Sequence, residues 1–157
     1  MFYKAVGARC NVPLLILFVL QGCATTPARF AGEQVRYERT FSADYDAVWS
    51  ATMDALVTSG IHVKEENKET GEIYTEWVEE QPVDRGGLFF GVYWIERYRF
   101  IISVIREGES ATRLTVLCLV EEKTKGGTRS LRWVMKKSSG ELEQQLLDKI
   151  EKILANQ

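Results

Sequence analysis

His62 is the only histidine in the 157-residue chain, which leaves acid/base and metal chemistry short of partners. Proton relay between two histidines is excluded, and a zinc site needs three or four ligands drawn mainly from Cys and His. The cysteines cannot complete such a set. Cys10 lies in an apolar N-terminal leader, Cys23 stands at the end of it, and Cys118 is alone in Leu117-Cys118-Leu119-Val120. With no cysteine near it in sequence, Cys118 reads as a small buried hydrophobe. No serine sits in a G-x-S-x-G elbow, so a nucleophilic triad has no support. The glutamates between Glu65 and Glu80 fall along one strand pair. They read as a solvated face, because a glycosidase pair needs a cleft that nothing here indicates. Arg85-Gly86-Gly87 and Lys125-Gly126-Gly127 lack phosphate-loop spacing and are turn glycines. These residues describe a protein that is not an enzyme and takes no cofactor or metal.

The leader itself carries chemistry of another kind. Lys4 and Arg9 precede the run Val12-Pro13-Leu14-Leu15-Ile16-Leu17-Phe18-Val19-Leu20, which is shorter than the roughly 20 residues of a membrane-spanning helix and ends in small Gly22. That is the layout of an export signal over residues 1–22. Leu20-Gln21-Gly22-Cys23 resembles the lipobox of bacterial lipoproteins, with a branched residue at −3 and a small one at −1, although Gln21 is bulkier than the usual −2 residue. The resemblance implies a diacylglyceryl thioether and an acylated amino group on Cys23. Two or more acyl chains anchor stably where one does not. Ala24 replaces the aspartate that retains many such proteins in the inner membrane, so the resemblance implies the outer membrane, with the domain facing the periplasm.

Removing residues 1–22 leaves 135 residues, enough for one domain with a proper core. The leader holds two of the 20 basic residues and none of the 22 acidic ones, so the mature chain sets 18 against 22, a formal charge of −4. An acidic balance of this kind gives no basic surface for nucleic acid. Residues 23–34 are small, polar and Pro27-containing, and read as a tether.

Residues 35–157 form the single domain. Val35, Tyr37, Arg39 and Phe41 alternate at the period of a strand, with Arg39 out of character on the apolar side. Ser42 is positioned to cap a helix carrying Asp44 and Asp46 in its first turn and Tyr45, Val48, Trp49, Thr52, Met53 and Leu56 on one face, ended by Gly60. After Gly60 the period changes to two. Strands are predicted over 61–65, 72–77, 93–105, 111–122 and 129–136, and neighbours joined by short turns must be antiparallel. Ser138-Ser139-Gly140-Glu141 fits a capping box, and Leu142, Leu146, Ile150, Ile153 and Leu154 make the apolar stripe of a last helix. The predicted class is α+β: an antiparallel sheet of about six strands with two helices on one face, in the order β-α-β-β-β-β-β-α.

That order has the form of the helix-grip fold. Phe41-Ser42-Ala43-Asp44-Tyr45-Asp46-Ala47-Val48-Trp49, Ala55-Leu56, Gly60-Ile61 and Thr70-Gly71-Glu72-Ile73 resemble the start of the domain found in the lipoprotein BamC of the outer-membrane β-barrel assembly machinery. The match runs from Val35 to Trp77 and continues by element order alone. It implies a non-catalytic envelope accessory that binds another envelope protein, such as a component of a barrel-assembly complex. BamC has two such domains after a long unstructured segment, whereas one domain follows a short tether here.

The stretch Asp84 to Trp94 holds Leu88, Phe89 and Phe90 bracketed by glycines and followed by Tyr93 and Trp94. Three consecutive apolar residues in a loop either form a contact surface for a partner or the membrane, or close the open end of the sheet. Two functions follow. One is a monomeric, membrane-tethered domain that binds an envelope protein. The other is a lipid or small-ligand carrier with a cavity between sheet and long helix, which a core closed by Trp49, Trp77 and Trp133 would disfavour. Replacing Cys23 with serine is expected to abolish incorporation of labelled fatty acid; normal labelling of the variant would remove the anchor.

Overall fold

The computed structural model describes residues 34–84, 93–125 and 132–156. In chain order the elements are β1 (Tyr37–Phe41), α1 (Tyr45–Thr58), β2 (Val63–Asn67), β3 (Glu72–Thr75), β4 (Val78–Glu79), β5 (Val83–Asp84), β6 (Tyr93–Arg106), β7 (Thr112–Lys125), β8 (Val134–Lys136) and α2 (Glu141–Leu154). The α+β class is as expected, with eight strands in one antiparallel sheet instead of about six. The additional strands are β4 and β5, two short pairings with β6 in what reads as loop.

The β6–β7 hairpin forms the centre, its register running unbroken from Tyr93↔Lys125 to Arg106↔Thr112. β3 and then β2 extend the sheet beyond β6, and β1 flanks β7 from the other side. Even-numbered positions of both long strands face the helices: Phe100, Ile102, Val104, Leu114, Val116 and Cys118 are all buried there. Val48, Trp49, Ala51, Ala55 and Leu56 of α1 and Leu146, Leu147 and Ile150 of α2 complete one core. Ala51 and Ala55 are fully covered, as small residues permit where another element comes close.

Arg39 breaks the apolar alternation of β1 for a reason the fold supplies. Its guanidinium reaches across to α2, 2.9 Å from Asp148 and 2.7 Å from Glu151, and so clasps the last helix to the first strand. Both helix starts differ from expectation. Asp44, not Ser42, caps α1 by accepting from the Ala47 amide at 2.8 Å. The Ser138–Glu141 capping box does not form. Helix α2 begins after Gly140, which has φ +89°, and the serine instead donates to Glu143 one turn further in, at 2.8 Å. Glycine suits position 140 because L side chains rarely adopt φ +89°, and a Cβ there would also have to displace the Tyr37 hydroxyl, 2.0 Å away.

Gly60 ends α1 as expected, with the Ile61 amide bonded to Leu56 O and the Gly60 amide to Val57 O. The glycine that closes the β2–β3 turn is placed more tightly. Gly71 has φ +76°, and a Cβ there would stand 2.1 Å from the Val104 carbonyl.

Trp49 is 7% exposed and stacks on Tyr45 at 6.0 Å between centroids. Trp49→Ala is expected to lower stability by about 3–5 kcal/mol in chemical denaturation; a loss under about 1 kcal/mol would contradict this packing.

Candidate functional site

The helices cover one face of the sheet, and the opposite face holds an unusual set of side chains. A one-residue shift in register separates Tyr74↔Ile101 from Val78↔Tyr98. Thr75 stabilises the irregularity: its hydroxyl, instead of a backbone carbonyl, accepts the Phe100 amide at 2.8 Å. In an unbroken strand Trp77 would share the inward side of Ile73 and Thr75. The extra residue turns it outward over β6.

There Trp77 meets Arg97, whose guanidinium carbon lies 4.4 Å from its ring centroid. Trp133, just before β8, also meets the same guanidinium, at 3.9 Å. The arginine is pinned by Glu121, directly opposite on β7, which accepts from Arg97 Nε at 2.8 Å and from Nη2 at 2.6 Å. Arg99 stacks on Trp77 at 4.7 Å, and Lys123 on Trp133 at 4.0 Å. Leu119, on the same side, is 5% exposed although neither α1 nor α2 lies on this face. Two tryptophans and three cations therefore form a half-buried patch on the face of the sheet opposite the helices.

Trp77 and Trp133 therefore do not join Trp49 in closing the core. Val120↔Lys136 and Glu121↔Met135 put Met135, and with it Trp133, on the outward side. Sequence reasoning missed the patch, although Arg97 and Arg99 signal it: two arginines at the same parity of a central strand oppose the apolar set at Phe100, Ile102 and Val104.

The loop proposed for contact falls largely elsewhere. Leu88, Phe89 and Phe90 lie outside the described residues, as does Cys23. The backbone of Tyr93 pairs with Asp84 and Lys125, and Trp94 is partly buried opposite Val83 and Thr124. The structure thus places Trp94 on the helix-side parity of β6, apart from the Trp77–Arg97–Trp133 stack.

The groups screened for catalysis are dispersed. His62 is exposed, and its carbonyl accepts the Glu76 amide at 2.8 Å. The glutamates from Glu65 to Glu80 are all exposed, as a solvated face requires. Cys118 is fully buried; burial, then the nearby Glu143 carboxylate, pushes its thiol far above the usual range, so the thiolate that would react is suppressed. Burial also raises the Tyr98 hydroxyl, with Glu80 adding to the effect. Among the described residues no cluster of His, Cys, Asp and Glu is arranged to hold a metal.

Between α2, the end of α1 and the sheet lies a space of about 260 Å³ lined by Ile61, Tyr98, Phe100, Leu142, Leu146 and Lys149. A wider, open groove of about 840 Å³ runs past Tyr45, Lys68, Gly71 and Arg106 at the other end of the sheet.

No family model matches the chain. No curated protein matches it either. Among solved structures it is similar to a conserved protein from Geobacillus kaustophilus, at 13% identity over 77% of this chain and 91% of that one, with a TM-score of 0.35. Likeness at that level carries no functional inference.

Arg97→Lys is expected to cost about 1–2 kcal/mol in urea unfolding, since an ammonium cannot stack on two indoles while meeting Glu121, and each lost cation–π contact is worth roughly 0.5–1 kcal/mol. An unchanged midpoint would show that the stack contributes nothing.

Proposed function

We propose that this protein is a non-catalytic lipoprotein of the outer membrane, anchored through Cys23 with its domain facing the periplasm, and that it binds another envelope protein through the helix-free face of its sheet. The observation that carries this reading is the Trp77–Arg97–Trp133 stack. Tryptophan and arginine dominate the energetics of protein interfaces because they present large contact area with a directed polar group. Here they are held in place before any partner arrives, which lowers the ordering cost of binding. The anchor motif Leu20-Gln21-Gly22-Cys23 supports the location, and the BamC resemblance supports an accessory role in an assembly complex.

The carrier reading has less behind it. Ligand pockets of ordinary size enclose about 300–1,000 Å³. The space between sheet and α2 falls below that range, and the bulk of the interface is occupied by Trp49, Leu56, Phe100 and Leu147.

A photo-crosslinking amino acid placed at Trp133 of the full-length chain, in the intact envelope of its own host, is expected to yield a discrete adduct with one envelope protein. Val57, exposed on α1, is the control position. Equal labelling from both positions, or none from position 133, would refute a docking role for this face.

A further inference from the structure

The stack leaves charge unanswered. Arg97 has Glu121 as its counter-ion, but Arg99 and Lys123 have no carboxylate partner among the described residues; each rests only against an indole. Arg99 also keeps its Nε buried without an acceptor. An orphaned buried donor is costly, and Arg99 has no carboxylate among the described residues to offset that cost. On a chain of net negative charge, two cations on one aromatic patch, neither with a carboxylate partner among the described residues, select an acidic occupant.

Their spacing narrows the chemistry further. Arg99 stands opposite Leu119, four residues along β7 from Lys123. Side chains four apart on a strand share a face and are offset by about 13 Å, at roughly 3.3 Å per residue. An extended polypeptide lying along the strands would present acidic side chains at i and i+4 with the same offset.

We infer that the Trp77–Arg97–Trp133 face receives an extended acidic segment of the partner protein, with one carboxylate on Arg99 and a second, four residues away, on Lys123. The inference rests on the docking reading above and specifies its chemistry. Intervening side chains of the segment pack on the two indoles, and Arg97, held by Glu121, serves as the fixed spacer between them.

The capped peptide Glu-Thr-Val-Thr-Glu, titrated into the full-length chain in neutral detergent at low salt, should shift the indole N–H resonances of Trp77 and Trp133 saturably. Its Gln-Thr-Val-Thr-Gln counterpart should need at least tenfold more for the same shift. The double variant Arg99→Gln/Lys123→Gln should weaken binding of the acidic peptide at least tenfold, while the charge-conserving Arg99→Lys/Lys123→Arg pair, which guards against a folding artefact, should stay within about threefold of the parent. Equal binding of the two peptides, or indifference to loss of both cations, overturns the inference. So does retention on phosphatidylglycerol vesicles that depends on the same cations when the peptide shifts neither indole, because the face would then be a lipid site. Persistent crosslinking from position 133 alongside a failed peptide titration would remove only the acidic-segment assignment and leave the docking face standing.

Discussion

A strand advances more than twice as far per residue as a helix, and this mismatch governs the molecule. β6 and β7 each contain 14 residues and extend about 46 Å, whereas α1 and α2, also of 14 residues, extend about 21 Å. The helices can therefore cover only part of the central hairpin. They sit over the stretch bearing Phe100, Ile102, Val104, Leu114 and Val116, where the apolar alternation is strongest. On the opposite face the same strands carry Arg97, Glu121 and Lys123, and burial there is supplied by side chains folded flat onto the sheet.

Stacking of this kind differs from core packing in what it leaves outside. Trp77 and Trp133 exclude water from Leu119 and from the Arg97–Glu121 pair, whose side chains retain about a fifth of their exposure. Partial desolvation strengthens the pair over an ordinary surface ion pair, while both tryptophans stay partly exposed. The same contacts that finish the sheet also produce an exposed, ordered aromatic surface.

Much of this architecture was legible in the sequence. The change of period after Gly60, the glycine stops and the stripe from Leu142 to Leu154 are local signals, and local signals survive without a structure. Parity across a bulge is not local. Trp77 points outward only because Thr75 substitutes its hydroxyl for a backbone acceptor, and nothing in Thr75-Glu76-Trp77 announces that exchange. Trp133 depends on the register between β7 and β8, a cross-strand pairing that no local signal in the sequence fixes. The helix caps were misplaced for a related reason: serine, aspartate and glutamate compete for the same backbone donors, and which one reaches them depends on how the preceding strand is docked. Arg39, by contrast, was visible as an anomaly, and only the position of α2 explains it.

The clasp between Arg39 and α2 has a bearing on when the chain can fold. β1 pairs with β7, and α1 packs on β6 and α2, so the first two elements have almost nothing to bury against until the chain beyond Tyr93 is present. Glu151, which closes the clasp, is 112 residues from Arg39. Contacts of such long separation form late and slowly. Topology thereby postpones the native state until α2 has been made, so the leading half of the chain has no native core to form by itself.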